Sequence, residues 1–92
     1  MVRLVNCDVQ EYNNNYFFHI PMKHILNGNL LQQYKYTIIT TSQCENPKMQ
    51  GFKNCKITKL GNSNKFRIPT RYVTDNNIDK DKTYTVVTIS EE

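Results

Sequence analysis

The residues best suited to chemistry are cationic and crowd into one short stretch. Lys56, Lys59, Lys65 and Arg67 flank the segment Gly61-Asn62-Ser63. A lysine ammonium meets a phosphate oxygen as a point charge. A guanidinium can take phosphate, or O6 and N7 of guanine, through two parallel bonds. Asn62 and Ser63 add neutral donors within reach of a phosphate, and the same residue types also hold tight turns. Catalysis has far less to draw on. His19 and His24 have only Asp8 and Glu11 as nearby acids, no Ser or Cys nucleophile comes with a supporting acid, and no glycine-rich phosphate loop is present. The expectation is a protein that is not an enzyme and carries no cofactor. Cys7, Cys44 and Cys55 form no CxxC pair and have no His at matching spacing, so no zinc or other metal site is expected.

Charge supports the emphasis on that stretch. The chain of 92 residues has a net charge of +4, unevenly spread. Residues 8–40 carry Lys23 and Lys35 against Asp8 and Glu11 and balance to zero. Residues 56–88 carry seven cations against Asp75, Asp79 and Asp81, and so hold +4. Such asymmetry points to a polyanionic partner met mainly through the second half. No apolar run is long enough to span a membrane, and the N-terminus lacks the pattern of a signal peptide, so an intracellular protein is expected.

The elements that position these residues come in two copies. Residues 6–40 align with residues 54–88 at an offset of 48 without a gap, and 10 of the 35 pairs are identical. The identities are Asn6/Asn54, Cys7/Cys55, Asn14/Asn62, Phe18/Phe66, Ile20/Ile68, Pro21/Pro69, Asn29/Asn77, Tyr36/Tyr84, Thr37/Thr85 and Thr40/Thr88. One unit of this size is too short to bury a core, so two must share one. A two-fold arrangement would bring Cys7 and Cys55 near each other, which admits a disulfide. In a reducing cytosol buried free thiols are the expected state.

Within each copy the pattern reads strand, turn, strand, short helix, apolar plug, strand. Met1 to Tyr12 reads as a strand, Asn13 to Asn15 as a turn, and Tyr16 to Ile20 as the returning strand. Pro21 opens a short helix that ends at Asn27 or Gly28. Leu30 and Leu31 read as core plugs, and Tyr34 to Thr40 as a strand. In the second copy Asn54 to Leu60 is a strand, Gly61 to Asn64 a turn, Lys65 to Ile68 a strand and Pro69 to Thr74 a helix. Ile78 is the plug and Thr83 to Ile89 the closing strand. Residues 42–53, with Asn46, Pro47 and Gly51, read as the linker between repeat 1 (1–41) and repeat 2 (54–92). The period of two puts Phe18, Ile20, Phe66 and Ile68 on an inward face. It turns His19 and Arg67 out to solvent.

Leu60-Gly61-Asn62-Ser63, two further residues, Phe66, then Arg67-Ile68-Pro69, followed by a short helix, Ile78, a polar turn and a β-rich strand, resemble the AbrB/MazE (SpoVT-AbrB) swapped-hairpin family. The Gly-Asn-Ser turn is nearer to the MazE-like branch. The resemblance implies an all-β fold with short helices, in which two units intertwine their hairpins into one β-barrel. Both units lie here in one chain, so it implies a single-chain pseudo-dimer over residues 1–92. It also implies a DNA-binding transcriptional regulator, cytoplasmic and nucleoid-associated, that grips double-stranded DNA with the basic positions around the turn. These are Lys59 and Arg67, with Lys56, Lys65, Asn62 and Ser63 beside them. The first repeat has Glu11 and His19 at those places and an all-Asn turn. Its contribution reduces to neutral hydrogen bonds from Asn14 and His19. The alternative is a protein-binding module such as the antitoxin partner of a toxin. That branch wraps its toxin with an extended C-terminal tail, whereas this chain stops at Glu92.

Overall fold

A computed structural model describes residues 1–91. The elements run β1 (Val2–Tyr12), β2 (Asn15–Ile20), α1 (Met22–Leu26), β3 (Lys35–Ser42), β4 (Met49–Leu60), β5 (Ser63–Ile68), α2 (Thr70–Thr74) and β6 (Thr83–Ser90). The six strands close into one antiparallel barrel in the order β1-β2-β5-β4-β3-β6. The chain is thus an all-β barrel with two short helices, as its sequence leads one to expect. Among the described residues no helix is long and apolar enough to cross a membrane.

Each repeat contributes a hairpin, β1–β2 or β4–β5, and a separate third strand to the one barrel. The third strand of each repeat leaves its own hairpin and pairs with the other: β3 with β4, and β6 with β1. The hairpins meet along β2 and β5 with Phe18 opposite Phe66, and β3 meets β6 with Ile39 opposite Val87. Both central pairs join equivalent positions, so a pseudo-twofold axis passes between their members. Phe18, Ile20, Leu30, Phe66, Ile68 and Ile78 are fully buried. Two edge-to-face contacts, Phe18 with Tyr84 at 5.8 Å and Tyr36 with Phe66 at 5.9 Å, each cross from one repeat to the other. The core is common property, which is how a thin chain collects enough apolar area.

Most of the identical pairs have a local physical reason. Asn6 and Asn54 adopt left-handed backbone (φ 55° and 60°) where the pairing slips by a residue, once in each repeat. Asn tolerates that conformation better than other side chains that carry a Cβ. The buried Thr40 and Thr88 donate to Gln50 O and Val2 O of the adjacent strands, at 3.3 and 3.2 Å. The Tyr36 hydroxyl accepts the Leu31 N–H at 2.8 Å, and Tyr84 does the same for Asp79 N–H at 2.6 Å. Burial holds the Tyr84 phenol above its ordinary pKa, so it stays protonated. Tyr84→Phe keeps the ring and removes that acceptor. It is expected to cost about 1–2 kcal/mol in urea unfolding, because a partly buried N–H loses its partner.

Several boundaries differ from the sequence reading. The linker is not residues 42–53, because β3 runs through Ser42 and β4 already starts at Met49. Thr41 faces Met49, Thr40 faces Gln50, Ile39 faces Gly51 and Ile38 faces Phe52. Gln50, Gly51 and Lys53, which carry no strand signal, hid this strand. The repeat offset already marked it, since residues 49–53 stand where residues 1–5 stand. The connecting loop is closed by Ser42 N–H to Lys48 O at 3.0 Å and by Lys48 N–H to Ser42 Oγ at 2.8 Å.

Both hairpin turns are two residues long, so Asn15, Ser63 and Asn64 belong to strands. Asn13 and Asn14 both have positive φ (50° and 64°), the type I′ pattern. In the second turn Gly61 alone does (59°), which fits type II′. Pro21 and Pro69 sit one position before their helices. Their carbonyls accept from His24 N–H (3.1 Å) and Tyr72 N–H (3.0 Å). Of the two plugs read in the first repeat, Leu30 is fully buried while Leu31 is only half-buried.

Candidate nucleic-acid interface

Alternation along β5 decides which cations share a surface. Asn64, Phe66 and Ile68 point inward and are buried, so Lys65 and Arg67 point out. Thr58 of β4 faces Lys65, which sets Thr58 and Lys56 on the same outer side. Across the barrel seam Phe17 faces Arg67 and His19 faces Lys65. The structure therefore brings Lys56, Lys65, Arg67 and His19 onto one outer face, with half-buried Ser63 at its margin. Asn62 and Asn14 are exposed at the two turns, at opposite ends of that face because β2 and β5 run antiparallel. Lys59 does not join them. It lies an odd number of residues from Lys56, and its register partner is the inward Asn64. The sequence reading, which grouped Lys59 with the face, is corrected on this point: Lys59 is exposed at the hairpin end, on the other side of β4.

None of the three face cations is neutralised. Among the described residues the single salt bridge is Lys82 with Asp79, at 4.0 Å and remote in sequence from the face. Arg67 Nη2 donates instead to Asn15 Oδ1 at 2.9 Å, and Lys65 Nζ donates to Gln10 Oε1. Gln10 lies on β1 and Lys65 on β5, so that bond spans the outer side of β2. Phe17 lies beneath, between Gln10 and Arg67 in register, and is only 5% exposed although it faces away from the barrel core. Its register neighbours Gln10 and Arg67 stand on either side of it on that outer surface. The sequence reading missed Phe17. Its place two residues before His19 was the available signal.

The repeats each shape a groove at the same place, and the two differ in charge. In repeat 2 a groove of about 490 Å³ is lined by Lys53, Lys56 and Arg67 with no acidic side chain. Its counterpart in repeat 1, about 300 Å³, has Asp8 and His19 in place of Lys56 and Arg67, along with Arg3, Lys23 and His24. The excess positive charge read from composition is thus a local field on one half of the barrel. His24 occupies the place that Tyr72 holds in repeat 2. There Tyr72 packs on Phe52 at 5.3 Å between ring centroids and donates to Gly51 O at 3.5 Å. His24 has a buried Nδ1 with no protein partner and sits against the barrel as packing.

All three cysteines are free, so Cys7 and Cys55 form no disulfide. Burial, and then the negative charge of Asp8 or Glu91 respectively, pushes both thiols up to about 11. Exposed Cys44 is shifted the opposite way, chiefly by its contact with the Ser42 hydroxyl at 3.5 Å. Thiolate is the reactive form and grows as pH rises toward a thiol's pKa. Iodoacetamide near neutral pH is therefore expected to modify Cys44 alone in the native protein and all three cysteines after denaturation, as read by intact mass.

Comparison of the chain with protein-family models, with curated proteins and with solved structures gives no match.

Proposed function

We propose that this protein binds double-stranded DNA through the outer face of β4 and β5. On this reading it is a transcription regulator of the AbrB/MazE type, acting without catalysis on DNA in the cytoplasm. One observation carries the reading: Lys56, Lys65 and Arg67 lie side by side on one outer face and, among the described residues, no carboxylate is paired to any of them. Unpaired cations on a rigid sheet are poised to displace counterions from a phosphate backbone. Lys56 and Lys65 hold phosphates, and Arg67 reaches a phosphate or a guanine edge. Ser63, Asn62, His19 and Asn14 supply further hydrogen bonds along the same track. The two halves differ in charge, so the preferred site is asymmetric or an imperfect palindrome.

Titration of a fluorescent duplex at several salt concentrations tests this. Three phosphate contacts predict log affinity falling against log salt with a slope of about −2.7 or steeper. A duplex that does not bind at low salt, or binds with no salt dependence, defeats the proposal and returns the protein-binding alternative to the front.

A further inference from the structure

Both cations of β5 reach across the seam to side chains of repeat 1. Arg67 Nη2 donates to Asn15 Oδ1 at 2.9 Å, and Lys65 Nζ donates to Gln10 Oε1. Each acceptor is an amide oxygen, which takes a hydrogen bond and leaves the donor's charge in place. A carboxylate at either position would bond more strongly and cancel that charge.

Asn15 is itself held. It is half-buried, and its Nδ2 donates to Asn13 O at 3.3 Å, in the turn that precedes β2. An amide has one donor end and one acceptor end. With its nitrogen committed to the turn, its oxygen is the end turned to Arg67. Asn15 stands two residues before Phe17, the register partner of Arg67, so Asn15 shares the outer face with Arg67. A diagonal neighbour of this kind lies within reach of a long side chain.

Comparison of the repeats explains where the amides stand. At the offset of 48, Asn15 corresponds to Ser63 and Gln10 to Thr58, while Arg67 and Lys65 correspond to His19 and Phe17. Repeat 2 has the two cations and short hydroxyl side chains at these places. Repeat 1 has the longer amides and neither cation. The amides therefore occur on the half that the cations reach into, and not on the half that bears them.

We infer that repeat 1 is the positioning half of the interface: Asn15 aims the Arg67 guanidinium and Gln10 steadies the Lys65 ammonium, without neutralising either. This rests on the DNA-binding reading of that face. Arg67 keeps its other N–H groups for a phosphate or a guanine edge. Ordering a long side chain beforehand lessens the freedom that binding must remove. Asn15 and Gln10 act through the cations, so they are positioning residues and not DNA contacts.

A double-mutant cycle on one preferred duplex, read by anisotropy at fixed salt, tests this. Asn15→Ala is expected to weaken binding about fivefold in the wild-type background and less than about twofold in the Arg67→Ala background. A merely structural role for Asn15, or a direct contact with DNA, costs the same in both backgrounds, and that result overturns the inference. So does an Asn15→Ala variant that binds as the wild type does. Nitrogen-15 relaxation of the Arg67 Nε–Hε group in the protein without DNA gives a second readout, independent of duplex binding. Its order parameter is expected to fall in Asn15→Ala, and an unchanged value overturns the inference. A wild type that binds duplex with an additive cycle defeats this inference alone. A wild type that binds no duplex defeats the DNA reading and, with it, the role given to Asn15.

Discussion

Arg67→Ala is expected to weaken binding to a preferred duplex by about 1–3 kcal/mol, roughly 5- to 150-fold. Lys56→Ala and Lys65→Ala are each expected to weaken binding to all duplexes alike and to reduce the salt slope by about one contact. The ranking follows from geometry and chemistry together. Arg67 is exposed, has no acid partner among the described residues, and is bonded through Nη2 to Asn15 Oδ1 on the same outer face. Its repeat counterpart His19 faces Lys65 and offers an imidazole ring in place of the forked guanidinium. His19→Ala should therefore lose less affinity than Arg67→Ala, as read by anisotropy on one duplex at fixed salt. Equal or reversed losses would remove the second repeat from the centre of the contact. Because Arg67 stands opposite the buried Phe17 in register, the unfolding midpoint of each variant has to be measured alongside. A binding loss that merely tracks unfolding would not count for the interface.

Phe66→Ala should be the most damaging single change to the fold. Phe66 is fully buried, faces its equivalent Phe18 across the seam, and receives the Tyr36 ring edge at 5.9 Å. Truncating such a phenylalanine costs about 3–5 kcal/mol, against a total stability of about 5–15 kcal/mol for a small domain. A fall in Tm of roughly 12 °C or more is expected, because each kcal/mol shifts Tm by about 4–8 °C at this size. The loss should appear as one transition in both near- and far-UV circular dichroism. Each repeat's aromatic core residues pack on the other repeat, so neither half can melt alone. Two separate transitions, or a cost below about 1 kcal/mol, would contradict the shared core.

Comparing equivalent positions explains why these two experiments probe different things. Identical pairs such as Asn6/Asn54, Thr40/Thr88, Tyr36/Tyr84 and Phe18/Phe66 are bulges, strand ties, hydroxyl acceptors and core. Outward pairs have diverged instead: Asp8 stands against Lys56, Phe17 against Lys65, and His19 against Arg67. Barrel geometry constrains the first group twice over, once in each repeat. Solvent constrains the second, and on the proposed reading a DNA partner would be met unequally by the two halves.

From the sequence alone, the two-repeat plan, the β-rich class, and the inward and outward assignment of Phe18, Ile20, Phe66, Ile68, His19 and Arg67 were all legible. Each rests on local rules: a fixed offset, strand-forming residues, and side chains alternating with a period of two. The face that Lys59 occupies followed from the same rule. It was misread because closeness to the turn was weighed above parity. The start of β4 at Met49 was obscured because Gln50, Gly51 and Lys53 carry no strand signal of their own. Pairing with β3 supplies it. Only the closed barrel decided which strands cross between repeats and that Phe17 is covered. It also decided that Lys56, Lys65 and Arg67 meet with no acid paired to them among the described residues. Those outcomes depend on contacts between residues far apart in the chain, and no local pattern encodes the distance between them.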